Sequence, residues 1–137
     1  MDQRIIYQND EGGVAVIIPS DCGLTIEQIA AKDVPTGVPY EIVDVADVPT
    51  DRTFRNAWVM DRKAVAVDVE KAKGIAHTMR RNNRAAELAP LDIQATIPDR
   101  AVAAEEKRQL VRAKDAKLQA DIDASKDVGD LKRLLDV

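Results

Sequence analysis

The ten residues Pro49-Thr50-Asp51-Arg52-Thr53-Phe54-Arg55-Asn56-Ala57-Trp58 hold two of the chain's four aromatic side chains. They also hold two of the four Lys and Arg residues in positions 1–60. Trp, Phe and Arg are enriched at the centres of protein interfaces, so the chemistry this stretch offers is recognition. Phe54 and Trp58 stand one helical turn apart and can plug the open side of a small core. Arg52 and Arg55 can face outward at the same time, so a packing role and a partner-facing role are compatible. A second basic cluster, Arg80, Arg81 and Arg84, follows His77 by one turn. It fits a solvated helix face or a contact to an acidic partner surface.

Bond-making chemistry finds little to work with. The sequence contains no Cys-x-x-Cys, no paired histidines and no Gly-rich phosphate loop. Gly12-Gly13 alone matches neither a P-loop nor a dinucleotide fingerprint. A nucleophile needs a base and a group to orient that base, and the single histidine, His77, falls mid-helix among Arg and Met. Asp44, Asp47 and Asp51 are spaced for turns and caps; a calcium loop supplies ligands at alternate positions around a glycine. Cys22 lies in a loop and reads as a small buried or half-exposed thiol. The chain is therefore expected to be non-enzymatic, with no cofactor and no metal.

The elements that must carry these residues change character along the chain. Residues 4–8 and 14–18 are β-branched runs separated by Asn9-Asp10-Glu11-Gly12-Gly13, which predicts a hairpin. Thr25 followed by Gln28 is a capping-box pattern, and Pro35 closes the short helix it starts. Residues 40–45 alternate as a third strand, pairing with one of the first two. Residues 52–58 read as a short helical segment capped by Thr50 or Asp51, and residues 64–67 as strand or first helical turn. From Asp68 onward the pattern is helical. Val65, Val69, Ala72, Ala76, Met79, Asn83 and Ala86 form a heptad stripe, with Met79 inside the contact. Pro90 should kink or end that helix, and Asp99 should cap a second one carrying Ala104, Val111, Leu118 and Ile122. A last short helix covers 128–135. The expected class is α+β: a small antiparallel β-sheet head with one short helix, residues 1–60, then a long α-helical hairpin arm, residues 61–137.

Composition limits partners. Residues 1–60 carry 4 Lys and Arg against 10 Asp and Glu, and residues 61–137 carry 16 against 14. An acidic head makes a nucleic-acid grip unlikely, because neutralising phosphates takes a basic face. No apolar run approaches the ~18 residues that a membrane span requires. No aromatic residue follows Trp58, so the helices must pack on small and aliphatic side chains and gain from a neighbour such as a second copy.

The opening RIIYQNDEGGVAVIIP, the middle VPTDRTFRNAW, the stretch AELAPLDIQATIPD, the run RQLVRAKDAKLQADIDA and the closing LKRLL resemble a family of small proteins. That family is encoded in the structural gene clusters of tailed bacteriophages and prophages. The helical end is also similar, more loosely, to tail-fibre-assembly and tail-chaperone-like proteins. The resemblance implies a structural component of the virion at the head–tail connector, tail or capsid surface, made in the host cytoplasm. It also implies other phage structural proteins as partners, with homo-oligomeric assembly. The alternative it carries is a tail or tail-fibre assembly chaperone absent from mature particles. It implies no active site.

Overall fold

The computed structural model describes residues 2–137, and they divide into two compact units, one ending at Asp68 and the other running from Val69 to Val137. The chain is α+β, as expected.

In the first unit, β1 (Gln3–Gln8) lies between β2 (Val14–Ile17) and β3 (Tyr40–Asp44), antiparallel to both. The turn from β1 to β2 closes on its own side chain. Asn9 Oδ1 accepts from the backbone N–H of Glu11 at 3.1 Å and of Gly13 at 2.9 Å. Gly12 sits at φ +80°, which a residue without Cβ reaches at no steric cost. The register places Ile5 opposite both Ile17 and Ile42. Those residues share one face of the sheet with α1 (Ile26–Asp33), whose Ile29 and Ala30 are buried there with Ile5. Both halves of the Thr25/Gln28 capping box form.

Ile6 points to the other face, since successive side chains alternate. It packs there with Val14, Val43, Trp58 and Val65. The last two belong to a second hairpin, β4 (Trp58–Asp61) and β5 (Ala64–Val67). This corrects the helical reading of residues 52–58. Only Arg55–Ala57 is helical, as a single 3₁₀ turn, and Trp58 opens a strand. Asp51 caps no helix; its Oδ1 accepts from the backbone N–H and the hydroxyl of Thr53, at 2.9 and 2.7 Å. The unit extends to Asp68 because β5 pairs with β4.

The second unit is α2 (Val69–Gln94), α3 (Ala101–Ala124) and α4 (Val128–Leu135). α2 and α3 pack on each other, and α4 packs on both. One expectation fails here, and another loses one of its two alternatives. Pro90 does not end α2, although an interior proline costs about 3 kcal/mol. Ion pairs to α3 flank it on either side: Lys114 Nζ to Glu87 at 2.8 Å, and Arg108 Nε to Asp92 at 3.0 Å. α3 is preceded by Arg100, with no side-chain cap, so Asp99 does not serve as one. Consecutive tight turns from Thr96 to Arg100 lead into it instead.

The β4–β5 connection is Arg62-Lys63, with Arg62 at φ 56°. A left-handed conformation costs a side-chain-bearing residue roughly 1–2 kcal/mol that glycine avoids. Arg62→Gly should therefore raise stability by about 0.5–1 kcal/mol in urea unfolding, after the extra freedom of glycine in the unfolded chain is counted. A loss of stability would contradict this hairpin geometry.

Candidate partner-binding site

The stretch singled out by composition is fixed from both ends. Asp44 Oδ1 caps a 3₁₀ turn, Val45–Asp47, by accepting from Ala46 N–H at 2.9 Å. The Asp51 turn follows, then Arg55 N–H bonds to Arg52 carbonyl at 3.1 Å and Ala57 N–H to Phe54 carbonyl at 2.9 Å. Phe54 and Trp58 both turn inward and are buried.

The Trp58 indole N–H has no acceptor among the described residues. Leaving a buried donor unpaired costs about 1–3 kcal/mol. Burying an aromatic ring of roughly 150–250 Å² gains about 4–6 kcal/mol at 25 cal/mol/Å². Burial wins, and the ring becomes a platform.

The arginines use that platform. The Arg55 guanidinium carbon lies 4.2 Å from the Trp58 ring centroid and that of Arg52 lies 5.9 Å away. Arg55 Nη2 also donates to the Val14 carbonyl at 2.6 Å. Burial, and then repulsion from Arg52, pushes the Arg55 guanidinium below its ordinary pKa. Among the described residues neither Arg52 nor Arg55 forms an ion pair. Arg52 is exposed and Arg55 half-buried, so the rings face in and the charges face out. Both border a recess of about 380 Å³ that Arg4 and Ile18 also line. Arg4 and Ile18 are parts of the site that sequence reasoning missed; the sheet brings them from more than thirty residues away.

The other named residues sit in the second unit. The buried line on α2 is Ala72, Ala76 and Arg80, whereas Asn83 and Ala86 are exposed and Met79 is half-buried. The heptad stripe is thus rotated about its axis, and Val65 lies in β5 outside it. Arg80 Nη1 donates to both oxygens of Asp115, at 2.9 and 2.8 Å, and Arg84 Nη1 to one of them at 2.9 Å. Arg80 and Asp115 are both buried. Arg80 Nε donates to His77 Nδ1 at 3.2 Å, which leaves the proton of the neutral imidazole on Nε2, 2.7 Å from Asp123 Oδ1. Arg81 alone of the three arginines is exposed, and its Nη2 donates to the Thr78 hydroxyl. Arg80, Arg81 and Arg84 therefore do not make one basic surface. Asp115 was not read from the sequence, although it continues the spacing Val111, Asp115, Leu118, Ile122.

Cys22 is exposed, not half-buried, and the Leu24 backbone, then the Ser20 side chain, lower its thiol pKa. Among the described residues no group of His, Cys, Asp and Glu is arranged to hold a metal, and no helix is long and apolar enough to cross a membrane. No family model, curated protein or solved structure matches the chain.

Removing one partner of a buried ion pair leaves the other charged and unsolvated. Asp115→Ala should cost about 3–5 kcal/mol in denaturant unfolding, and Arg80→Met with Asp115→Leu should recover most of it. A loss under about 1 kcal/mol for Asp115→Ala would mean that Arg80 reaches solvent.

Proposed function

We propose that this chain is a non-enzymatic structural component of a tailed-bacteriophage virion, placed at the head–tail connector, tail or capsid surface. It acts through protein–protein contacts, with several copies repeated about a symmetry axis and other phage structural proteins as partners. The observation that carries this reading is the Arg52–Arg55 pair held over Trp58 beside a recess with basic and apolar walls. Arginine on a rigid aromatic, with no ion pair among the described residues, is the composition of an interface centre. The turn that presents it is locked by Asp51 and by the backbone bonds from Arg52 to Ala57, so little ordering entropy remains to be lost on binding. The resemblance of the DRTFRNAW stretch to tailed-phage structural genes supplies the setting. An acidic first unit supports a protein partner over nucleic acid.

Quantitative mass spectrometry of purified, DNA-filled particles against the major capsid protein tests it. The wild-type chain should appear at a fixed stoichiometry. Arg52→Glu should lower incorporation by roughly tenfold, about 1.4 kcal/mol of lost contact, with the melting temperature unchanged. A chain abundant in producing cells yet missing from particles would overturn the virion assignment. Its capture there by a tail or fibre protein would make it an assembly chaperone.

A further inference from the structure

The recess beside Trp58 is chemically one-sided. It is lined by Arg4, Arg52 and Arg55, and by no Asp or Glu among the described residues. The unit that contains it carries 6 Lys and Arg against 12 Asp and Glu over residues 1–68. Half of the unit's basic side chains therefore line one pocket, and none of its carboxylate residues is among the lining. Apart from Thr50 the remaining walls are apolar, including Val16, Val48, Pro49 and Ile18, and Ile18 is 68% exposed.

Resting on the assembly reading above, we infer that this recess receives an acidic segment of a partner protein, an Asp or Glu carboxylate carried among apolar side chains. Charge complementarity commits the site to that occupant. Two guanidiniums stacked on one ring repel each other, and a carboxylate between them relieves that repulsion while accepting paired N–H donors. Desolvation of Arg55 points the same way, since a half-buried cation gains more from a counter-ion than a solvated one. Arginine pairs with phosphate as well as with carboxylate, but the apolar walls add contact area that only a carboxylate carried among aliphatic neighbours can use. Arg55 already spends one nitrogen on the Val14 carbonyl and its face on Trp58. Exposed Arg52 is thus the side chain left to close over the carboxylate.

Trp58 is the chain's only tryptophan, so its emission reads the recess directly. The full chain is titrated with an N-acetylated, C-amidated peptide alternating valine and glutamate, with its valine–glutamine counterpart, and with inorganic phosphate. The glutamate peptide should give a saturable change that weakens as salt rises from about 0.05 to about 0.5 M. The glutamine peptide should bind at least about tenfold more weakly, and Arg52→Gln should weaken the glutamate peptide by a similar factor with circular dichroism unchanged. Equal binding of the two peptides would overturn carboxylate recognition. Phosphate competing as well as the glutamate peptide would reduce the recess to a bare anion site. A flat titration with a fixed particle stoichiometry would sink this inference and leave the virion reading standing. The expected titration with a chain missing from particles would do the reverse.

Discussion

Large side chains are scarce in this protein, and its structure is organised around that scarcity. Four aromatics serve the whole chain, with none beyond Trp58. In the first unit Phe54 and Trp58 are therefore both committed to the interior, where Trp58 is among the largest fully buried side chains. Its ring is then available to the surface only through what stacks on it, and that role falls to Arg55 and Arg52. Core closure and, in the proposed role, partner recognition share one side chain from opposite sides.

The second unit meets the same shortage differently. Ala72, Ala76 and Ala104 let its helices approach but say little about register, because an alanine seam slides at small cost. Polar groups supply the missing specification. Asp115 takes bonds from Arg80 and Arg84, while His77 links Arg80 to Asp123. A shift of one turn would part buried Arg80 from Asp115, and leaving a buried charge unpaired is costly. Lys114–Glu87 and Arg108–Asp92 extend the ladder to both sides of Pro90, which lies inside the helix.

Local chemistry made part of this visible in the sequence. The Asn9–Gly13 turn, the Thr25/Gln28 box and the alternation of residues 40–44 each announce a structure that needs only near neighbours. The β4–β5 hairpin announces only its second strand, as one of two readings of residues 64–67: its turn is Arg62-Lys63, without the Asn-Gly or Asp-Gly pair that such turns favour. Phe54 and Trp58 also mimic a helical i,i+4 pair while lying on a turn and a strand. Asp115 is hidden for a different reason, since a charged residue in an apolar spacing reads as the edge of a stripe until its partner is known. At the recess, Arg52, Arg55 and Trp58 were legible as composition. Arg4 and Ile18 reach it only through the sheet, a long-range placement that no local pattern encodes.

A photoreactive side chain in place of Arg52, activated in cells that are assembling particles, tests the site most directly. Mass spectrometry of the cross-linked peptides should find a segment of a phage structural protein that carries Asp or Glu beside aliphatic residues, while the same group at exposed Arg81 yields no such product. Cross-links from position 52 confined to this chain's own first unit, or identical products from both positions, would contradict a partner-facing role for the arginines over Trp58.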